Sequence, residues 1–378
     1  MIRDGRRPGF VFDKCPRLCY YGPNPLRERN SSVQADTPDT APVKPKGIGP
    51  VLARISGSMA PLSFLLILSI FLTLTTPNFA SRDNLKQIAI QVAVVAILAC
   101  GQTAVIIAGH IDLSVGAMMA LAGVCTGQAM HLYHVNIWVA VLAACGCGML
   151  VGVLNGVITA YGKISSFIVT LGMMGLAYGV GSILANSQNV FGFTKGFEVF
   201  GSGELFGTAR TDGIPYPVII MAVVAACVFI AMSKTSWGRA VYAMGGNTEA
   251  ARLSGVSLPR LTISVFALSG LLAGIAAVVN TSRISVAAFK AGSGYELYAV
   301  AATVIGGTSL IGGQGGVPGT ILGALLMYTI INGCDLHGMG SDYQRAIIGA
   351  VVIVAVLYDI HCLPWIRRML GGQVVQTS

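Results

Sequence analysis

The fold of this chain is decided by the stretch from residue 88 to residue 132, which reads IAIQVAVVAILACGQTAVIIAGHIDLSVGAMMALAGVCTGQAMHL. Two apolar runs, 88–108 and 113–132, are separated only by the tetrapeptide Gly109–Asp112. Each run has about the 20 residues that an α-helix needs to cross the hydrocarbon core of a bilayer. The stretch therefore predicts two transmembrane helices joined by a short turn at membrane depth.

The composition of the whole chain extends this prediction to a polytopic membrane protein. Of its 378 residues, 54% are hydrophobic and 10% are charged, and the mean hydropathy is +0.73. Soluble domains carry about 25% charged residues, because a water-exposed surface requires them. We predict an all-α fold with about ten transmembrane helices in one Gly-rich bundle. The candidate spans are 59–75, 88–108, 113–132, 137–160, 166–185, 217–232, 261–281, 297–311, 317–333 and 345–360.

The charge distribution predicts an orientation in the membrane and argues against nucleic-acid binding. The formal net charge is +9, but residues 1–58 contribute much of it and the other charges lie in short gaps between apolar runs. Because Lys and Arg favour the cytoplasmic side, we expect both termini in the cytoplasm. Residues 1–58 are rich in Pro and Arg and predict a disordered tail. Residues 59–362 then form the membrane domain, and residues 363–378 form a short cytoplasmic tail.

Glycines at four-residue spacing predict close packing between helices. Small residues at this spacing let helix backbones approach each other where lipid provides no hydrophobic driving force. So many glycine faces indicate a compact bundle, although a face that lines a pore is an alternative for each of them. The predicted faces are formed by Gly148, Gly152 and Gly156, by Gly175 and Gly179, by Gly270 and Gly274, and by Gly315, Gly319 and Gly323.

Asp112 and Asn155 are polar residues at predicted membrane depth, where each must be hydrogen-bonded or line a wet cavity. Asp112 could open the third span as an N-cap, or its turn could shape a translocation path, and the two roles are compatible. Asn155 could join two helices or face the same path. His110 is a lone histidine, which favours neither metal binding nor a proton relay.

The sequence predicts no catalytic residues, no metal site and no cofactor bound by this chain. Most of the nine cysteines lie inside apolar runs, where they behave as small hydrophobes. The Gly-rich stretch 306–316 lacks the Gly-x-x-x-x-Gly-Lys-Ser/Thr pattern of a P-loop, and a hairpin or broken helix is expected there. A membrane enzyme or an ion-coupled transporter would need converging polar or charged groups in the spans, and apart from Asp112 the spans have almost none.

The longest predicted internal loop, 234–260, contains a short helix. Asn247 or Thr248 is a suitable N-cap, and Gly255 is suited to end the helix in the left-handed conformation. Pro259 then begins the next helix at its first turn. A helix of less than two turns is unstable alone, so the loop is either a connector held by the bundle or a docking element for a separate protein.

Four blocks of residues resemble the ribose/xylose/arabinose/galactoside permease family of ATP-binding-cassette (ABC) importers, in the expected order over about residues 59–360. The first block, Gly-His-Ile-Asp-Leu-Ser-Val-Gly at 109–116, differs from the family's signature by having His110 in place of Gly. This substitution and the long tail are departures from the family. The other blocks are Asn155-Gly156 with 166–172, Gly238-Arg239 through Gly255, and Gly294–Leu297 with 306–313.

The resemblance implies a permease subunit that translocates a monosaccharide such as ribose, with a fold similar to the vitamin B12-type importers. Its implied partners are a separate ABC ATPase that holds the ATP, a periplasmic or surface sugar-binding protein, and a second permease copy or a paralogue. The implied location is the bacterial inner membrane, in contact with lipid. Nucleosides, branched-chain amino acids or a signalling sugar are alternative substrates, because the binding protein does most of the selecting.

The resemblance also implies roles for individual residues. The short helix of the 234–260 loop would be the coupling helix, which sits in a groove of the ATPase. The implied coupling residues are Gly246, Asn247, Glu249, Ala250, Ala251, Arg252, Ser254 and Gly255. The implied translocation-path and signature residues are Gly109, Asp112, Ser114, Gly116, Asn155, Phe167, Thr170, Gly307 and Thr308.

Overall fold

The computed structural model describes residues 49–207 and 213–357, and these ranges are mostly helical. The described residues include only 49–58 of the predicted N-terminal tail, residues 1–58, and none of the predicted C-terminal tail, residues 363–378. The helices are α1 (Gly49–Thr75), α2 (Arg82–Ile107), α3 (Val115–Tyr133), α4 (Ile137–Gly162), α5 (Ser166–Leu184), α6 (Val199–Ser202), α7 (Tyr216–Lys234), α8 (Ser236–Gly246), α9 (Thr248–Leu253), α10 (Leu258–Ile284), α11 (Tyr295–Ile305), α12 (Val317–Leu336) and α13 (Ser341–Leu357).

A small strand pair interrupts this helical pattern between α6 and α7. Strands β1 (Glu204–Leu205) and β2 (Ile214–Pro215) pair antiparallel, with Glu204 opposite Pro215. The side chain of Lys86, near the start of α2, forms an ion pair with Glu204. Hydrogen bonding to Lys86 lowers the pKa of the Glu204 carboxyl group. The strands are therefore a local feature of a connecting loop in an all-α fold.

Each of the ten predicted spans overlaps a helix, and seven helices of the described part are long and apolar enough to cross a membrane: α2, α3, α4, α5, α7, α10 and α12. Helix α1 begins at Gly49, before the predicted start of the first span at residue 59. The predicted span 297–311 is wrong in extent, because α11 ends at Ile305 and residues 306–316 are not helical. With 11 residues, α11 covers only about 16 Å.

Helix α2 lies at the centre of the bundle. Every residue from Val92 to Ile107 is buried, which is expected for a helix that is apolar around its whole circumference. Helices α7, α10, α11 and α12 pack around it. The stretch that predicts the fold therefore also supplies the core of the bundle.

The glycine face of α4 packs directly on the glycine face of α10. A Cβ atom built on Gly148 would lie 2.2 Å from the carbonyl oxygen of Gly270, and one built on Gly152 would lie 2.2 Å from that of Phe266. Likewise, a Cβ atom on Gly274 would lie 2.5 Å from the carbonyl oxygen of Ala144. The two backbones are thus in contact, and the predicted packing of these two faces is confirmed.

The predicted glycine face of α12 is wrong at its first member. Gly315 precedes the helix and has a φ angle of +135°, in a region that L side chains rarely adopt. Gly319 and Gly323 do lie on one face of α12, where Cβ atoms would lie within 2.0 Å of the carbonyl oxygens of Gly306 and Ala302 respectively. The three glycines are equally spaced in the sequence, but they do not lie on one helix face, because the first of them is in the turn before α12.

Candidate functional site

The carboxylate of Asp112 is fully buried and accepts hydrogen bonds from neighbouring groups. Its Oδ1 accepts from the Ser114 backbone N–H at 2.9 Å and from the Ser114 hydroxyl at 2.6 Å. Its Oδ2 accepts from the hydroxyl of Ser269 on α10 at 3.0 Å. The predicted N-cap role is wrong in detail, because Ser114 is the residue at the N-cap position of α3 and Asp112 binds that residue instead.

Two further side chains connect this turn to α2 and α4. The amide nitrogen of Gln102, on α2, donates to the backbone carbonyl of Asp112. The amide nitrogen of Asn155, on α4, donates to the Ser114 hydroxyl at 2.8 Å. The turn thus joins α2, α3, α4 and α10 through hydrogen bonds in a buried environment, where such bonds are costly to leave unmade. The interpretation of Asn155 as a residue that joins helices is confirmed.

The first turn of α5 contacts the same turn, residues 109–114 between α2 and α3, which is here called the signature turn. The Ile111 backbone N–H donates to the Ser166 hydroxyl at 3.2 Å, and the buried Thr170 hydroxyl lies 3.3 Å from the Ile111 carbonyl. Thr170 makes its shorter bond, 2.8 Å, to the Ser166 carbonyl in its own helix. Phe167 is 48% exposed and has no place in this buried network.

His110 occupies the signature turn without entering the carboxylate network. Its Nε2 lies 3.4 Å from the Thr262 hydroxyl, and its ring centroid lies 5.6 Å from that of Phe266. Both partners belong to α10, so the imidazole packs on the side of the turn that faces that helix. No group of three or more potential metal ligands occurs among the described residues.

A junction of glycines connects the signature turn to the short helices α8 and α9. A Cβ atom built on Gly245, near the end of α8, would lie 1.7 Å from the Ile107 carbonyl oxygen at the end of α2. The Gly313 N–H donates to that same carbonyl at 2.8 Å, and a Cβ atom on Gly312 would lie 3.2 Å from Gly109. The end of α8, the signature turn and the Gly-rich turn before α12 therefore touch through backbone atoms.

The remaining predicted path residues lie in separate environments. Gly116, in the first turn of α3, packs against Gly292, because a Cβ atom on Gly116 would lie 2.3 Å from the Gly292 carbonyl oxygen. Gly307 has a φ angle of +88°, in the turn that follows α11. The buried Thr308 packs against Gly315, and its hydroxyl has no hydrogen-bond partner among the described residues. None of these residues contributes a hydrogen bond to the carboxylate of Asp112.

The short helix of the 234–260 loop is present as α9, and its predicted ends are confirmed. The Asn247 side chain accepts from the Ala250 backbone N–H at 2.9 Å, and Gly255 has a φ angle of +85°. Of the predicted coupling residues, Ala251 is buried and the others are exposed. Arg252 forms an ion pair with Glu249, and this hydrogen-bonded guanidinium lowers the pKa of the Glu249 carboxyl group.

Sequence reasoning missed four contributors to this site: Gln102, Ser269, Gly245 and the Gly312–Gly313 turn. Gln102 and Ser269 lie within apolar runs, and a search for every polar residue in the spans would have found them. No sequence signal gives the contacts of Gly245, since they depend on where α8 ends relative to α2.

Comparison with known proteins identifies the family of this chain. A family model described as "Branched-chain amino acid transport system / permease component" matches residues 84–356. The ribose import permease protein of Escherichia coli (strain K12) is 43% identical over 296 residues, which cover 78% of this chain and 91% of that protein. The ribose import permease protein of Bacillus subtilis (strain 168) is 37% identical over 80% of this chain and 92% of that protein.

A further relative is named for another sugar. The L-arabinose ABC transporter permease protein of Azospirillum brasilense is 32% identical over 85% of this chain and 93% of that protein. Both the family model and these relatives extend over the helices that build the signature turn and the α8–α9 segment. The chain belongs to the family of branched-chain amino acid transport system / permease components.

Proposed function

We propose that this chain is the permease subunit of a bacterial ABC importer, which carries a monosaccharide across the inner membrane. Relatives named for ribose import, for fructose import and as an L-arabinose ABC transporter support a sugar as the substrate. The observation that carries the proposal is the glycine junction, in which the end of α8 touches both the end of α2 and the Gly-rich turn before α12. A movement of the exposed α9 would reach the membrane-embedded signature turn through these contacts.

In this proposal α9 is the coupling helix, and a separate ATPase supplies the ATP hydrolysis. Its exposed residues include Glu249, Arg252 and Leu253, of which Leu253 is 77% exposed. An exposed leucine beside a charged pair is suited to a partner surface that buries the apolar side chain and contacts the charges. Closure of two ATPase subunits would then rock the bundles between inward-facing and outward-facing states.

The proposal includes a second permease copy, or a paralogue, and a sugar-binding protein on the opposite side of the membrane. In this proposal the end of the bundle that carries α9 is the cytoplasmic side, and the chain crosses the membrane about ten times, which puts both termini on that side. Such an arrangement is similar to the vitamin B12-type importers. Deletion of residues 1–45 is expected to leave uptake intact, because the family model matches from residue 84 onward and the described helices begin at Gly49.

Uptake of radiolabelled sugars tests the substrate. Cells with and without this gene, which also hold its ATPase and binding protein, are compared across a panel of pentoses and hexoses. We expect cells that lack the gene to lose uptake of one sugar. Restoring the gene should restore that uptake only when the ATPase is intact. Uptake that survives loss of the ATPase would contradict the ABC mechanism.

A branched-chain amino acid is the second candidate substrate, because the matching family model is described by that transport system. Labelled leucine, isoleucine and valine therefore belong in the same panel. Gene-dependent uptake of one of them, with no sugar affected, would replace the sugar proposal and leave the coupling mechanism in place.

Reversal of a single charge tests the coupling role of α9. We expect Arg252→Glu to abolish uptake while ATP hydrolysis by the assembled complex continues, because the substitution places two acids on the surface offered to the ATPase. Arg345→Glu is the matched control, since Arg345 also lies three residues from an acid, Asp342, and is also exposed. Equal effects of the two substitutions on uptake would contradict the role of α9.

A backbone substitution tests the same role independently of charge. Gly255 ends α9 with a φ angle of +85°, which proline cannot adopt because its ring fixes φ near −65°. We expect Gly255→Pro to uncouple ATP hydrolysis from uptake as Arg252→Glu does. Normal coupled transport by the Gly255→Pro variant would contradict the proposal that α9 couples the permease to the ATPase.

A further inference from the structure

The stretch between α10 and α11, residues 285–294, runs along α3 with Ala287 and Gly292 buried, and is here called the re-entrant segment. Near its start, the Cβ atom of Ala287 would lie 2.8 Å from a Cβ atom built on Gly127 of α3. Near its end, a Cβ atom on Gly292 would lie 1.8 Å from the carbonyl oxygen of Gly116, also on α3. The two glycines of α3 are separated by about 16 Å of helical rise. The segment therefore descends alongside a membrane-spanning helix.

The re-entrant segment ends near the middle of the membrane layer. Asp112, whose turn leads into α3, is hydrogen-bonded to Ser269, which lies close to the midpoint of the 27-residue helix α10. Gly116 follows by about one helical turn, so the neighbouring Gly292 lies at a similar depth. Non-helical backbone at such depth is tolerated only where it is buried in protein or lines a water-filled cavity.

A cavity adjoins this segment on the side of α5. Its volume is about 330 Å³, and it is lined by Tyr178 and Gly179 of α5 and by Phe289, Lys290 and Ser293 of the re-entrant segment. This volume falls within the range of about 300–1,000 Å³ that is typical of small-molecule sites. The lining combines two aromatic rings, two hydroxyl groups and an ammonium group, which is a suitable surface for a polar ligand with an apolar face.

The charge of Lys290 indicates that the cavity contains water. Its side chain is exposed on the segment, and its ammonium nitrogen lies 5.5 Å from the ring centroid of Phe289. A lysine at this depth that faced lipid would be costly, whereas a lysine that faces a wet cavity keeps its hydration.

The Tyr178 hydroxyl of the cavity lining makes no hydrogen bond of ordinary length among the described residues, although the Ser293 side chain is a polar neighbour. Glu296 follows the re-entrant segment and lies outside the lining, because its Oε2 packs against Gly116 of α3. Its other oxygen, Oε1, accepts from the Gly294 backbone N–H at 3.1 Å. Buried polar groups in native proteins are satisfied by protein, water or ligand. For the Tyr178 hydroxyl, water or a ligand hydroxyl in the cavity can be that partner.

We propose that Tyr178, Lys290 and Ser293, together with the ring of Phe289, form a sugar-contacting station at mid-depth in the translocation path. The ligand class is a neutral polyhydroxyl compound, whose hydroxyls exchange hydrogen bonds with these three polar groups while a C–H face packs on the ring. The station rests on the proposed import of a monosaccharide. The station is separate from the signature turn, which in this proposal holds the surrounding helices together by hydrogen bonds.

Thiol labelling of the assembled transporter in proteoliposomes tests the station, with the ATPase and binding protein present. We expect a membrane-impermeant methanethiosulfonate to modify Ser293→Cys above the wild-type background, and transported sugar to slow this modification. Leu150→Cys is the control, since Leu150 is 63% exposed on α4, on the side away from its glycine face. An unreactive Ser293→Cys, or one that reacts without protection by sugar, would overturn the proposal.

Removal of single hydroxyls supplies the second readout. We expect Tyr178→Phe and Ser293→Ala each to lower the uptake rate at limiting sugar about three- to tenfold, because each removes one hydrogen bond to the ligand. Thermal unfolding of each variant and its co-purification with the ATPase control for folding and assembly. If wild type transports a sugar but both variants match it, the station is wrong and the importer stands. If wild type transports no sugar, the proposed function itself fails.

Discussion

Helices α4 and α5 carry similar glycine patterns but use them differently. On α4, a Cβ atom at Gly152 would lie 2.2 Å from the backbone of α10, so the glycine is required for contact between the two helices. On α5, Cβ atoms at Gly172, Gly175 and Gly179 would have no atom within 4 Å. The first face is closed by the chain itself, whereas the second is open within a single chain.

This difference shows that a glycine pattern predicts close packing of a helix face but does not predict which helix, or which chain, packs against it. Both helices also reach the signature turn, α4 through Asn155 and α5 through Ser166 and Thr170. The two helices are therefore comparable in position, and they differ in whether their small-residue faces are satisfied within one chain. In the proposed homodimer, the open face of α5 is the surface that a second copy would contact.

The largest expected effect is a difference in folding stability between substitutions on the closed face of α4 and on the open face of α5. Gly152→Val should lower the free energy of unfolding by at least about 1–3 kcal/mol, because the added methyl groups collide with the backbone of α10. Gly175→Val places the same side chain on the open face and should leave the folded monomer intact. Thermal unfolding of both variants in detergent measures the difference, and equal destabilisation would break the comparison.

A smaller effect is expected at the signature turn. Asn155→Ala removes a hydrogen bond between helices, which in membrane proteins is worth about 0.6 kcal/mol on average and up to about 1.7 kcal/mol. Thr170→Val is the matched change on α5, where the hydroxyl makes its shorter bond within its own helix. The midpoint of thermal unfolding should therefore fall more for Asn155→Ala. The reverse order would show that α5 is the more important support of the turn.

The smallest structural perturbation tests what covers the open face of α5. Gly175→Cys should keep the fold, and a short bifunctional thiol reagent should join two copies of the variant beyond the wild-type background. Leu150→Cys, on the exposed side of α4, should not be joined. Absence of a Gly175→Cys dimer in the assembled transporter would show that lipid, rather than a second copy, covers this face.

Prediction from the sequence succeeded where a local rule governs the structure. The ends of α9 follow from Asn247, which supplies a side-chain oxygen to a backbone N–H, and from Gly255, which adopts a positive φ angle. The positions of the long helices follow in the same way, because lipid selects apolar runs of sufficient length. These features depend on residues that are close together in the chain.

Prediction failed where the chain enters the bundle without forming a helix. Residues 285–294 resemble an ordinary outer loop, with a lysine and several small residues, and the sequence does not reveal that they run beside α3. The N-cap role of Asp112 failed for a related reason. Its carboxylate turns towards Ser269, 157 residues further along the chain, and binds Ser114 rather than the first turn of α3.

The sequence by itself determined that this is an all-α membrane protein, approximately where its long apolar helices lie, and which family its motifs resemble, because hydrophobicity, capping and motif order are local properties. The tertiary structure decided which glycine faces are closed and which polar groups meet at the signature turn. It also placed Gly245, Gly312 and the end of α2 in one junction. These contacts join residues that are distant in the chain, and their geometry is fixed only when the helices pack.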